Sequence, residues 1–128
     1  MPRVLVVDDQ KAVRAMVAIV LRVNHYDVVE AESGAAGVKA FGEGPFDAAI
    51  IDIFLADTSG VDVMLAIREQ IPGFPIVAIS GMTALDFMGE APDLADVVCL
   101  QKPFRPNDLL HALRTAQAAA GGELSAAV

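Results

Sequence analysis

The stretch Arg3-Val4-Leu5-Val6-Val7-Asp8-Asp9 decides the fold. Its apolar residues follow one another without the polar alternation of a strand that has one wet face, so both faces of this strand are expected to be covered. Strands of that kind belong to parallel sheets with helices packed on either side. Next in the chain, Lys11–Val23 places Val13, Met16, Val17 and Val20 at helical spacing, with Lys11 and Arg14 on a solvated face. Asp27–Ala31 is a second short run, and Ser33 is placed to cap a helix from Gly34 to about Phe41 that Gly42 and Gly44 end. Phe46–Ile51 is a third strand. Gly60–Gln70 reads as a helix burying Val61, Met64, Leu65 and Ile67, closed by Pro72-Gly73. Pro75–Ile79 and Val97–Leu100 are the fourth and fifth strands, and Met82–Ala95 between them is a poor helix, interrupted by Gly89 and Pro92. Pro106 suits the first turn of a last helix carrying Leu109, Leu113 and Ala116. Strands alternating with helices predict one doubly wound α/β domain with a mostly parallel sheet.

The polar residues that interrupt the strands fall at one edge. Asp8 and Asp9 end strand one, Asp52 ends strand three, Ser80 ends strand four and Lys102 follows strand five. In an open parallel sheet, ligands bind at the carboxyl ends of the strands, where the strand order reverses. Each residue alone is ordinary: an aspartate there caps a helix, Ser80-Gly81 is turn chemistry, and Lys102-Pro103 is a turn with a solvated lysine. Their joint placement is what carries weight. Three carboxylates held within a few ångström repel one another, so at least one carboxyl should hold its proton to higher pH unless a cation is present. Hard oxygen ligands of this kind suit Mg²⁺, which keeps waters and shares its shell with a phosphate. A lysine amine and a hydroxyl beside them suit phosphoryl oxygens. A carboxylate nucleophile, a metal, an amine and a hydroxyl are the parts an aspartyl-phosphate requires.

Composition narrows the classes. The chain has 128 residues, 55% of them hydrophobic, which is enough for one core without staples and too apolar for intrinsic disorder. The formal net charge of −8 argues against direct nucleic-acid binding, which needs a surplus of Lys and Arg. One cysteine, Cys99, excludes an internal disulfide framework and fits a cytoplasmic protein. No apolar run is long enough for a membrane span or a signal-peptide core.

Taken together, Val4–Asp9, Ile51-Asp52 with Gly60 eight residues on, Ser80-Gly81 and Lys102-Pro103-Phe104 resemble the receiver domain of two-component response regulators. The resemblance extends from Arg3 to about Ala120. It implies a flavodoxin-like five-stranded sheet of order 2-1-3-4-5, a receiver domain over residues 1–121 and a flexible tail over 122–128. It further implies that Asp52 accepts a phosphoryl group from a histidine kinase or a histidine phosphotransfer protein. Asp9, Asp52 and the backbone carbonyl of Phe54 would bind Mg²⁺ directly, and Asp8 mainly through water. Lys102 and Ser80 would hold phosphoryl oxygens, and Gly81 would leave room for the group. Lys102-Pro103 is often a cis bond in such domains. The changing face would be Met82–Ala95, strand five and the last helix, acting on a downstream protein that the resemblance does not name, with the oligomeric state left open.

This chain departs from the family pattern at three positions. Cys99 stands where an aromatic residue usually precedes the lysine by three positions, which leaves no ring to turn there; Cys99 reads as a small buried hydrophobe. Ala56 stands where proline is common, and Phe54 is bulky beside the acceptor and is expected to slow the water that would hydrolyse the phosphate. His25 and His111 read as solvated. An aspartyl phosphatase usually has a second acid two residues after its nucleophile, where this chain has Phe54. A flavin or nucleotide module lacks its glycine-rich phosphate loop here. A receiver-like scaffold that never takes phosphate would have no use for the complete set of Asp8, Asp9, Asp52, Ser80 and Lys102.

Overall fold

The computed structural model describes residues 1–81 and 92–119. In chain order the elements are β1 (Arg3–Val7), α1 (Lys11–Val23), β2 (Asp27–Ala31), α2 (Gly34–Gly42), β3 (Ala48–Asp52), α3 (Gly60–Gln70) and β4 (Ile76–Ser80). A 3₁₀ turn (Pro92–Leu94), β5 (Val98–Gln101) and α4 (Pro106–Gln117) follow. The five strands form one sheet of order β2-β1-β3-β4-β5, and every neighbouring pair is parallel. The poor helix expected over Met82–Ala95 lies mostly outside the described residues, and its last part is the 3₁₀ turn.

The central strands β1, β3 and β4 are apolar along their middles because both faces are covered, while the edge strands β2 and β5 also carry exposed residues such as Asp27, Glu30 and Gln101. Leu5 and Val7 face α2 and α3, together with Ile51, Met64 and Ile67. Val4 and Val6 face α1 and α4, with Leu21, Ile50, Leu109 and Leu113. Leu5, Ile50, Met64 and Leu113 have no solvent exposure, and cutting any of these back to alanine costs about 2–5 kcal/mol. Among the described residues no helix is long and apolar enough to cross a membrane.

Several edges differ from the sequence reading for local reasons. β3 begins at Ala48 rather than Phe46, whose ring stacks on Phe41 with centroids 6.1 Å apart and lies under the Arg3 guanidinium. β4 runs from Ile76 to Ser80 and excludes Pro75, which has no amide to donate. β5 starts at Val98 because the Val97 amide bonds back to Leu94, 3.1 Å away, and closes the 3₁₀ turn. In α1 the fully covered stripe is Val17, Ala18 and Leu21, with Val13, Met16 and Val20 half-buried along its margin. In α3 the buried apolar side chains are Val63, Met64 and Ile67; Val61 and Leu65 are only half-covered. Ser33 caps α2 by accepting the Ala36 amide at 3.0 Å, and Pro106 opens α4. His25 sits exposed in the turn after α1 with φ of 67°, and His111 is exposed on α4.

Candidate functional site

All strands point the same way, so their carboxyl ends share one edge of the sheet. The connection from β1 through α1 to β2 covers one face and that from β2 through α2 to β3 covers the other. This divergence opens a crevice between β1 and β3. Asp8 and Asp9 follow β1 there, Asp52 is the last residue of β3, Ser80 the last of β4, and Lys102 comes directly after β5. Their depth is unusual for polar residues: Asp8 is 1% exposed, Asp52 4% and Ser80 0%.

The two buried acids are held alike. Asp8 accepts the Gln10 amide on Oδ1 at 2.8 Å, and Asp52 accepts the Phe54 amide on Oδ1 at 2.9 Å. Each bond ties one oxygen to the backbone two residues on. The Lys102 amine lies 3.0 Å from Asp52 Oδ2 and 3.6 Å from Asp8 Oδ2, and it donates to Gln10 Oε1 at 3.1 Å. Asp8 Oδ2 is buried and, among the described residues, has no hydrogen-bond donor, the Lys102 amine being an ion-pair partner 3.6 Å away. Burial holds the Asp8 carboxyl above its ordinary value; the Gln10 amide opposes the shift, the Asp52 charge adds to it, Lys102 opposes it and Asp9 adds to it. One oxygen from each of Asp8, Asp9 and Asp52 falls within 4.8 Å of the others. Three hard oxygen donors, one of them orphaned, make a set that can take a small divalent cation such as Mg²⁺.

The sequence-predicted residues therefore meet at one place, with two qualifications. Among the described residues, nothing lies within 4 Å of where a Cβ on Gly81 would sit. Cys99 is not buried: β5 is an edge strand, and Val98 and Leu100 face the α1/α4 core while Cys99 faces outward and is exposed. Its thiol lies 4.0 Å from the Val97 carbonyl, and partial burial pushes the thiol's pKa up. The Lys102–Pro103 peptide bond is cis.

Other residues support the site in ways the sequence reading missed. Arg14 is not on a solvated face: it donates to the Asp8 carbonyl at 2.8 Å and pairs with Glu30 at 3.3 Å, bracing the turn that carries the acids. Gly60 allows the loop after Asp52 to close, because a Cβ there would overlap the Asp52 carbonyl oxygen. The Gly60 amide instead reaches the Ile53 carbonyl at 2.7 Å. Asp57, in the same loop, accepts the amides of Gly34 and Ala35 at 2.9 and 3.0 Å, 23 and 22 residues away in sequence. Periodicity carries no trace of such contacts. The only hint is that α2 has no acidic residue in its own first turn.

The sequence model of the response regulator receiver domain matches residues 4–114. The transcriptional regulatory protein KdpE of Mycobacterium tuberculosis is 34% identical over 116 residues, which cover 91% of this chain and 51% of that protein. The chain thus spans about half the length of that curated relative. The structure of the Vibrio cholerae chemotaxis protein CheY4 matches with a TM-score of 0.84 at 29% identity, covering 91% of this chain and 98% of that one. A CheY-like receiver domain protein from Methanospirillum hungatei superposes with a TM-score of 0.87 at 24% identity, covering 96% and 98%, and so shares the fold.

Proposed function

This chain belongs to the response regulator receiver domain family of two-component signal transduction, and on that premise we propose that Asp52 accepts a phosphoryl group. The observation that carries the reading is the Lys102 amine 3.0 Å from Asp52 Oδ2, beside the orphaned Asp8 oxygen. The donor is a phosphohistidine on a histidine kinase or phosphotransfer protein. Asp52 Oδ2 attacks the phosphorus, the phosphorus–nitrogen bond breaks, and its electron pair returns to the imidazole. The Phe54 amide fixes Oδ1, so Oδ2 is the oxygen left to react. Lys102 then turns from the carboxylate to a phosphoryl oxygen, and the Ser80 hydroxyl meets another, with Gly81 leaving space. Asp9, Asp52 and the Phe54 carbonyl, with Asp8 through water, would hold Mg²⁺. The ion supplies positive charge that offsets the repulsion between the acids and an incoming phosphate.

The readout runs from Ser80 through the Lys102 amide, which bonds the Ser80 carbonyl at 2.8 Å, to β5 and α4. Residues 82–91 of the proposed changing face lie outside the described residues. So do 120–128, including the proposed tail over 122–128 of a domain spanning 1–121. The partner on the output side is a protein, since a net charge of −8 disfavours nucleic acid. The proposed compartment is the cytoplasm. The test is intact mass after incubation with Mg²⁺ and acetyl phosphate, beside Asp52→Asn. Gain of one phosphoryl group by the wild type alone supports the reading. No gain, where another receiver reacts, favours a scaffold with a receiver's shape or a receiver that takes phosphate only from its own kinase.

A further inference from the structure

The loop after Asp52 is closed on itself at its base. Phe54 and Ser59 form an antiparallel bridge, and the Gly60 amide closes on Ile53. Asp57 lies between these ties and reaches out to a different element. Its carboxylate takes the first two amides of α2, those of Gly34 and Ala35, at 2.9 and 3.0 Å. The third amide, of Ala36, goes to Ser33 Oγ at 3.0 Å, and the fourth, of Gly37, to the Ser33 carbonyl at 2.9 Å. All four amides at the start of α2 are thereby satisfied, two of them by the loop. The packing is as close as the bonding: a Cβ on Gly34 would overlap the Thr58 methyl. The loop cannot shift without stripping two amides from α2.

We propose that Asp57 is a positioning residue for the acceptor site, pinning the loop to α2 so that the Phe54 backbone stays in place. Both backbone groups of Phe54 matter. Its N–H, in the peptide with Ile53, holds Asp52 Oδ1, and its carbonyl, in the peptide with Leu55, is the oxygen proposed above for Mg²⁺. The two α2 amides keep the Asp57 carboxyl below its ordinary value, so the tie persists through the neutral range. The inference rests on reading Asp52 as the acceptor.

The test compares Asp57→Ala and Asp57→Asn with Ser33→Ala. Ser33 caps the same helix from within its own segment, so its loss loosens α2 and leaves the loop alone. Mg²⁺ affinity is followed by calorimetry and by backbone amide shifts, and phosphorylation by intact mass with acetyl phosphate. Asp57→Ala should weaken Mg²⁺ about tenfold, as the loss of groups that orient metal ligands does, and slow phosphorylation. Asp57→Asn, which keeps one acceptor oxygen, should fall between Asp57→Ala and wild type. Ser33→Ala should lower thermal stability with Mg²⁺ affinity unchanged. Equal Mg²⁺ affinity in Asp57→Ala and wild type, or equal losses in Asp57→Ala and Ser33→Ala, would overturn the proposal. A wild type that neither binds Mg²⁺ nor takes phosphate would overturn the acceptor reading itself, and this role with it. A wild type that does both beside an unaffected Asp57→Ala removes only the role of Asp57.

Discussion

Gly60 and Asp52 touch backbone to backbone: a Cβ on Gly60 would fall on the Asp52 carbonyl oxygen and close to the Ile53 α-carbon. Neither obstacle can rotate away, since both are main chain. Gly60→Ala is therefore expected to displace the loop that carries Phe54 and to cost about 1–3 kcal/mol, as overpacking does. Urea unfolding would check the stability. A stability equal to wild type would mean that the loop yields freely.

Asp8 carries a pH signature of its own. Burial raises its carboxyl above the ordinary 3.8, so the folded protein holds this proton more tightly than the unfolded chain. The stability it contributes is full below 3.8 and is lost as pH rises through the folded value. Asp8→Asn should consequently stabilise the metal-free protein at pH 7 and much less at pH 3.5. Mg²⁺ should raise the melting temperature of the wild type more than that of the variant. Thermal melts with and without Mg²⁺ at both pH values would decide, and a wild-type advantage at pH 7 without metal would contradict the sign.

Arg68 separates two kinds of electrostatic contact. Its guanidinium bonds the Phe74 carbonyl at 2.8 Å, the Asp93 carbonyl at 2.6 Å and Asp96 Oδ1 at 2.8 Å. The Arg68 side chain is 7% exposed and that of Asp96 44%, so the carbonyls, not the exposed carboxylate, should dominate. Arg68→Ala is expected to cost roughly 2–4 kcal/mol by stranding two carbonyls and leaving a void. Asp96→Asn should cost below ~1 kcal/mol. Equal losses in denaturant titration would show that the ion pair matters most.

Phe54 is 43% exposed and follows Asp52 by two residues. An apolar ring there should keep water from the aspartyl-phosphate. Phe54→Asn is expected to shorten the lifetime of the phosphorylated form several-fold, toward tenfold, corresponding to ~1.4 kcal/mol of barrier. Loss of the added mass with time, measured after removal of the donor, reads it directly. An unchanged rate would take the ring out of the hydrolysis step.

The strand ends are legible in the sequence because a doubly covered strand carries apolar residues up to its last position. Asp8, Asp52, Ser80 and Lys102 stand out against apolar runs for that reason. What the sequence hides is contact at a distance. Arg14, Arg68 and Asp57 satisfy backbone groups of other elements, and helical spacing marks them only as polar positions. Cys99 is misread because an alternating edge strand resembles a buried one when it is only four residues long. In α3 the inward stripe shifts to Val63, which packs beside Gly34 where the two helices come close, a fact about α2 that α3 cannot encode.

The position of β1 between β2 and β3 also bears on how the chain is made. β1 leaves the ribosome before the other strands of this sheet. Asp27–Ala31 can cover one of its edges early, but its other partner is Ala48–Ile51. Until that segment emerges, an apolar strand with open backbone groups waits for a distant partner, the condition under which nascent chains stick to one another. The residue that follows this closing segment is Asp52. Synthesis therefore delivers Asp52, the proposed acceptor, at the moment the centre of the sheet can close.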